Sequence, residues 1–121
     1  MIEITAEKFS VEKIIEKIKS SRAGAIVCFL GIVRNDKIRS MKIECYKKMA
    51  KKELRKLVQE AEKRFDIHKI SIVHRIGELK VSDNIALIAV ASEHREQAFK
   101  ACEWLIDELK KVVPIWKEET K

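Results

Sequence analysis

Two uninterrupted apolar runs constrain the fold of this chain more than any other feature of its sequence. The first, GAIVCFLGIVR, spans residues 24–34 and is rich in β-branched side chains, which predicts a central strand buried on both faces. The second, NIALIAVAS, spans residues 84–92 and predicts another buried strand. Strands that are apolar on both faces need helices packed against their sheet, so the rest of the chain must supply amphipathic helices.

Three segments carry apolar residues at helical spacing, and we predict helices over residues 11–19, 48–65 and 93–112. Ser10 and Ser92 are suited to cap the first and third helices, and Pro114 prevents the third from continuing. The second helix has one apolar stripe, formed by Met49, Leu54, Leu57, Val58, Ala61 and Phe65. Each helix therefore has a face that can cover a sheet.

Shorter strand patterns occupy residues 2–5, 42–46 and 69–74, whereas residues 76–78 are typical of a turn or bulge. The resulting order, β-α-β-β-α-β-β-α, predicts an α+β fold in which helices pack on a mostly antiparallel sheet. A length of 121 residues fits one compact domain, residues 1–121.

The composition of the chain limits the classes of partner and the cellular location that we expect. The formal net charge is +7, which favours an anionic partner: a nucleic acid, an acidic protein or a phosphorylated small molecule. No signal peptide is recognisable, and no apolar run approaches the roughly 20 residues that span a bilayer. We therefore expect a cytoplasmic protein with no membrane partner.

The cysteines argue against a disulfide framework and against a structural zinc site. Cys28, Cys45 and Cys102 are odd in number, far apart and free of Cys-x-x-Cys spacing. Cys28 lies in an apolar run and Cys102 on a helix face, which predicts buried, inert thiols. His74 has no His, Cys or Asp at ligand spacing, so we expect it to be structural and predict no metal site.

Two polar clusters at the ends of apolar elements are suited to bind anions. Arg34 ends the first apolar run, where a guanidinium can make bidentate contacts to phosphate or carboxylate, or simply solvate the strand end. His94 and Arg95 fall in the first turn of the third helix, where cations oppose the helix dipole. A sequence that tolerates this cost can be using both cations, with the helix N-terminus, to hold an anion.

Two lysines near the end of the chain are candidates for chemistry. Lys110 falls in the last turn of the third helix, where a cation also suits the dipole. Lys117 follows a turn that contains Pro114 and Trp116. A lysine held near other cations can act as a nucleophile or proton carrier, although spacing alone does not separate this from a surface role.

Four runs, GAIVCFLGIVRN, HRIGEL, ASEHREQAF and LKKVVPIWKEE, are spread over residues 24–119. In this order and spacing they resemble the large, catalytic subunit family of molybdopterin synthase, over most of the chain. The resemblance implies a hammerhead-like α/β fold and a sulfurtransferase that needs no cofactor. Its substrate would be cyclic pyranopterin monophosphate, converted to molybdopterin with sulfur from the C-terminal thiocarboxylate of a small ubiquitin-like carrier subunit.

The resemblance also implies an assembly and a set of site residues. Two copies of the chain would form the homodimer core of a heterotetramer with two carriers. Lys110 would be the catalytic group, as nucleophile or acid, and Lys117 would hold substrate or shuttle protons. The implied substrate-binding residues are Arg34, His94, Arg95 and Phe29.

Two departures from the family pattern concern the pocket and the partner. The segment over residues 36–41 is short and lacks glycine, where many relatives have a longer loop, so its part in the pocket is expected to differ. The chain stops at Lys121, where many relatives continue, and we expect fewer carrier contacts at this end.

Two other functions stay open on the residues alone. A small RNA-binding module would fit the basic charge, but the chain has only seven aromatic residues and no RNP-like or Gly-x-x-Gly run. A non-catalytic scaffold for a ubiquitin-like protein would keep the basic surface. It would not need Lys110 in a pocket.

Overall fold

Seven strands and three helices follow one another along the described part of the chain. The computed structural model describes residues 1–35 and 37–120, so Asp36 of the short loop and Lys121 lie outside the described residues. The elements are β1 (Ile2–Thr5), α1 (Val11–Ile18), β2 (Ala25–Ile32), β3 (Ser40–Cys45), α2 (Lys47–Arg64), β4 (Lys69–Arg75), β5 (Gly77–Lys80), β6 (Asn84–Ser92), α3 (Arg95–Val112) and β7 (Ile115–Thr120). The predicted α+β class and the three predicted helices are confirmed.

The larger sheet has the strand order β1-β4-β6-β2, in which only β1 and β4 run parallel. The run over residues 84–92 forms β6, which is central and buried as predicted. The prediction of a central strand for residues 24–34 is wrong, because β2 lies at the edge of the sheet. Its side chains are half-buried or exposed, and Ile32 is 50% exposed. An apolar run predicts that a strand is buried, but it does not show whether the strand is central or at the edge of its sheet.

A second sheet of three antiparallel strands, ordered β5-β3-β7, stands beside the first. Neither β5 nor β7 was predicted. Gly77 has a φ of +95°, which lets the backbone change direction between β4 and β5, so the turn predicted over residues 76–78 leads directly into a strand. The sequence IWKEET of β7 is too polar to show a strand pattern, and β3 supplies its pairing.

Both faces of the larger sheet are covered by helices. Helices α2 and α3 pack on one face and form the main core, whereas α1 packs on the other. The predicted cap of α1 is confirmed, because the Lys13 backbone N–H donates to Ser10 Oγ at 3.2 Å. In α2, however, Met49 is 54% exposed and Ala50 is fully buried in its place. No helix in the described residues is long and apolar enough to cross a membrane.

The junction between β6 and α3 differs from the prediction. The helix begins at Arg95 with His94 as its N-cap, and His94 provides no capping side-chain hydrogen bond. Ser92 is fully buried, and its hydroxyl donates to the His94 carbonyl instead of capping the helix. The Gly24 backbone N–H donates to the Ser92 carbonyl at 2.9 Å. The start of β2 is therefore held against the start of α3.

This close approach predicts a large cost for a side chain at Gly24. A Cβ there would overlap the Glu93 backbone oxygen, which cannot move aside as a flexible side chain could. We expect Gly24→Ala to lower the free energy of unfolding by about 1–3 kcal/mol. Gly31→Ala is the control, since its Cβ would meet nothing closer than 3.7 Å. Equal denaturant midpoints for the two variants would contradict the close approach.

The cysteines are placed differently from one another. Cys102 is buried as predicted, and burial raises the pKa of its thiol to about 11. Cys28 is exposed on β2, which contradicts the prediction that it is buried, although partial desolvation still raises the pKa of its thiol. Neither thiol is primed to ionise at neutral pH.

Candidate active site

A groove of about 510 Å³ lies where the larger sheet meets the smaller one. We call it the lysine groove, and it is lined by Phe29, Leu30, Gly31, Ile32, Arg34, Ile38, Met41, Ile85, Lys110, Lys117 and Glu119. Four of the six predicted site residues are therefore brought together in one cavity, although they come from three different parts of the chain.

Lys110 reaches the groove from the C-terminal turn of α3. This helix end bears unpaired carbonyl groups and a negative dipole end, which favour a cation there. The helix stops at Val112, and the Val113 backbone N–H donates to the Leu109 carbonyl at 3.2 Å. The proline that follows forces the chain out of the helix. These local constraints fix the position from which Lys110 extends.

Lys117 reaches the groove from β7. In the β3–β7 ladder Lys117 is paired with Ile43 and Glu119 with Met41, so both charged residues share the face of these apolar side chains. Because the Thr120 carbonyl also accepts from the Arg39 backbone N–H at 2.7 Å, the end of β7 is anchored. Glu119 was not singled out in the sequence, because nothing there indicated a strand.

The end of β2 supplies the third side of the groove. Phe29 and Arg34 both line it, and the buried Val33 between them is tied to the turn before β6. The Val33 N–H donates to the Asp83 carbonyl at 2.9 Å, and the Ser82 N–H donates to the Val33 carbonyl at 2.7 Å. A rigid backbone thus carries Arg34 to the mouth of the cavity.

The charge and shape of the groove suit an anionic ligand with a flat apolar part. Among the described residues that line it, three side chains are cationic and one is a carboxylate. The remaining lining is apolar and includes the ring of Phe29. A ligand with a phosphate or carboxylate and an aromatic ring system would find both kinds of partner.

The other two predicted residues are not part of this groove. His94 and Arg95 lie at the N-terminal end of α3, and Lys110 lies fifteen residues further along the same helix, or about 22 Å at 1.5 Å per residue. The His94 side chain is 76% exposed and lies 3.9 Å from a Glu93 carboxylate oxygen. Within one protomer, these two residues cannot contact a small ligand bound at Lys110.

A smaller cavity of about 170 Å³ adjoins the two lysines, lined by His74, Leu109, Lys110, Val113, Ile115 and Lys117. His74 is buried, as expected of a structural residue, yet it borders the site. The described residues contain no group of three or more His, Cys, Asp or Glu side chains that could hold a metal ion.

Comparison with known proteins identifies the family. The sequence model of the family described as MoaE protein matches residues 4–112. The chain belongs to the MoaE family. The resemblance seen in the four sequence runs is confirmed by this match.

Relatives and solved structures agree with the MoaE assignment. The molybdopterin synthase catalytic subunit of Pyrococcus abyssi is 45% identical over 93% of this chain and 79% of its own length. The molybdopterin synthase structure from Staphylococcus aureus superposes with a TM-score of 0.93 at 39% identity, over 97% of this chain and 88% of the other. One of these relatives is a molybdopterin synthase catalytic subunit and the other is a molybdopterin synthase, so the MoaE family is one of enzymes.

A more distant structure supports the fold alone. The complex of subunits 1 and 2 of molybdopterin-converting factor from Helicobacter pylori matches with a TM-score of 0.84 at 22% identity, over 98% of this chain and 83% of the other. MoaE membership does not favour the RNA-binding alternative. The scaffold alternative depends on whether Lys110 does chemistry.

Proposed function

We propose that this chain transfers sulfur from the thiocarboxylate of a small ubiquitin-like carrier to cyclic pyranopterin monophosphate, forming molybdopterin. The observation that carries the proposal is the meeting of Lys110, Lys117 and Arg34 in one groove with an apolar wall. The groove combines cations for the phosphate and the thiocarboxylate with a surface for the pterin ring. The reaction is expected in the cytoplasm, where cell fractionation would find the protein.

The lysines have separate roles in this proposal. In each transfer the carrier's C-terminal carbonyl carbon exchanges its sulfur for an oxygen from water. The sulfur forms a bond to a pterin carbon, whose carbon–oxygen bond breaks, and that oxygen leaves with a proton. Charge develops on the carbonyl oxygen, and a fixed ammonium group beside it lowers the barrier. Lys110, at the end of a helix, is the group we assign to this step. Lys117, on β7, holds the substrate or moves protons.

Arg34 is assigned to the phosphate. A guanidinium group forms paired, charge-assisted hydrogen bonds to phosphate oxygens, which fix the orientation as well as the position of the substrate. Phe29, on the strand that precedes Arg34, lines the groove and offers a ring face to the pterin. With the phosphate held at Arg34 and the pterin ring beside β2, the carbons that receive sulfur would face the two lysines.

His94 and Arg95 enter the site when two copies of the chain associate. Among the described strands, β2 pairs only with β6, so its other edge can pair with a second copy. In a twofold dimer such strands run antiparallel, so the start of β2 in one protomer lies beside the end of β2 in its partner. His94 and Arg95 flank the start of β2, and Arg34 follows its end.

The dimer would therefore bring His94 and Arg95 of one protomer close to the lysine groove of its partner. Within one protomer the same residues lie about 22 Å from Lys110 along α3. The exposed side chains of Cys28 and Ile32 would be covered by the same association. Each lysine groove would gain a guanidinium group and an imidazole ring from the neighbouring protomer, which suits a substrate with an anionic phosphate. The apolar character of an edge strand is explained in this way.

An aromatic patch beside the groove is assigned to the body of the carrier. Tyr46 and Trp116 are 69% and 52% exposed, and their rings meet edge to face with centroids 5.5 Å apart. A depression of about 230 Å³ contains both Trp116 and Lys117, so a protein docked on the patch could extend its C-terminal tail toward the lysines. Rigid aromatic rings are frequent anchors of protein interfaces.

We expect Trp116→Ala to weaken carrier binding about 30-fold or more, the loss typical of an interface anchor. The measurement is calorimetric titration with the carrier. Phe99→Ala is the control, because Phe99 is 59% exposed on α3 and belongs to neither the patch nor the groove. Equal affinities for the two variants would remove the patch from the interface.

The proposed function is tested by conversion of purified pterin substrate with thiocarboxylated carrier. Molybdopterin should form only when this chain and the thiocarboxylate are both present. The control is a carrier that ends in an ordinary carboxylate, which should bind without supporting conversion. Binding of the charged carrier with no conversion would favour the scaffold alternative.

A further inference from the structure

His74 is a buried titratable side chain that borders the two lysines and has no role in the proposed reaction so far. It is 3% exposed and lies on β4. The cavity of about 170 Å³ in front of it also contacts Lys110 and Lys117. A polar ring in this position needs a reason beyond packing, because burying it costs free energy unless its nitrogens are used.

The strands on either side of His74 contribute no charge. His74 is paired with Ile4 of β1 and with Ala86 of β6. The charged groups that face it are Lys110 from α3 and Lys117 from β7. Arg75, the next residue on β4, donates from Nη2 to the Ala6 carbonyl at 3.2 Å and lines a separate cavity.

One hydrogen bond defines the state of the ring. His74 Nδ1 lies 2.8 Å from the Arg75 carbonyl oxygen. A carbonyl oxygen can only accept, so Nδ1 must carry the proton and donate. In the neutral ring, Nε2 then has a lone pair and is an acceptor.

The surroundings of the ring keep it neutral. Burial lowers the pKa of His74 below its ordinary value, the bond to the Arg75 carbonyl opposes this, and the positive charge of Lys117 lowers it further. At neutral pH the ring is therefore an uncharged acceptor close to two ammonium groups.

We propose that His74 is a positioning residue whose Nε2 accepts a hydrogen bond from the Lys117 ammonium and so fixes this charge relative to Lys110. The inference rests on the proposed function and adds a residue to its site. During sulfur transfer the flexible lysine chain would be held at the groove by a rigid partner on β4. No proton is transferred between them.

Two amide variants separate this role from a purely structural one. In His74→Gln the amide oxygen can occupy the position of Nε2 and still accept from Lys117. In His74→Asn the shorter amide can donate to the Arg75 carbonyl but does not reach the cavity. We expect conversion to stay within about threefold of wild type in His74→Gln and to fall about 10- to 100-fold in His74→Asn, the loss typical of a hydrogen bond to a charged group.

The pH profile gives a second readout. Below the lowered pKa of His74 the ring is protonated, Nε2 can no longer accept, and a third cation joins the lysines. Wild-type activity should therefore fall on the acidic side, and His74→Gln should lack this acidic limb. A larger loss in His74→Gln than in His74→Asn, equal losses in both, or an acidic limb that persists in His74→Gln would overturn the proposal.

A measurement that needs no sulfur transfer keeps the two proposals distinguishable. Nitrogen NMR of the wild-type ring should show Nδ1 protonated and Nε2 unprotonated at neutral pH. The Lys117 ammonium resonance should shift in His74→Asn and stay near its wild-type position in His74→Gln. A proton on Nε2, or no difference between the variants at Lys117, overturns the inference even if the chain converts pterin. If His74→Asn does not fold, the wild-type spectrum alone tests the inference, because it shows which ring nitrogen carries the proton.

Discussion

Lys110→Ala should lower the pterin conversion rate about 100- to 1,000-fold, which is the range seen when one preorganised oxyanion donor is removed. Lys110 is exposed at the end of α3 and lies in no part of the hydrophobic core, so the variant should fold normally. Carrier binding should be nearly unchanged, because the aromatic patch is intact. The measurement is the single-turnover rate at saturating carrier and pterin.

Lys111→Ala is the matched control for this experiment. Lys111 is the next residue on the same helix, pairs with Glu108 at 3.7 Å and does not line the groove. An exposed pair of this kind contributes little to stability, and its loss should leave the rate unchanged. If Lys110→Ala converted pterin as fast as Lys111→Ala, Lys110 would have no part in the chemistry.

Mixing two inactive variants should restore activity if the site is shared between protomers. Arg95→Ala and Lys110→Ala would each damage every site of their own homodimer. In a mixed dimer one site carries both changes and the other carries neither. With random exchange about half of the dimers are mixed, so about a quarter of wild-type activity should return.

The control for this mixture uses two residues from the same groove. Arg34→Ala mixed with Lys110→Ala places one change in each site of the mixed dimer, so no activity should return. Subunit exchange is checked in both mixtures by native mass spectrometry. Exchange without recovery in the Arg95 mixture would show that Arg95 does not complete the partner's groove.

The secondary structure that rests on strong local patterns was predictable. The helix over residues 11–19 was correct to within one residue, because Ser10 caps it and its apolar spacing is regular. The strand over residues 84–92 was correct at both ends, because a continuous apolar run in a central strand is buried within the same chain. In both elements local preference and tertiary packing favour the same structure.

The elements that depend on distant partners were not predictable. Nothing within IWKEET indicates a strand, and β7 forms because β3 offers an unpaired edge. The apolar run of β2 predicted a fully buried strand, but β2 lies at the sheet edge and its side chains are half-buried or exposed. Met49 was assigned to the buried stripe of α2, but Met49 is exposed and its neighbour Ala50 belongs to the core instead.

The candidate site likewise has some features that could be predicted from the sequence and others that could not. The joining of Lys110, Lys117, Arg34 and Phe29 could be expected from the family resemblance, and the groove brings these four together. The placement of Glu119 and the cavity beside His74 depend on the sheet formed by β3 and β7, which spacing along the chain does not reveal. The separation of His94 and Arg95 from Lys110 follows from the length of α3.

The most direct test of the proposed reaction follows the sulfur atom itself. The purified chain would be given pterin substrate and a carrier whose thiocarboxylate carries a heavy sulfur isotope, and both products would be weighed by mass spectrometry. We predict that both sulfur atoms of the molybdopterin carry the isotope and that the carrier appears as the carboxylate. Product without the isotope, or no product from a carrier shown to be charged and bound, would contradict sulfur transfer in the lysine groove.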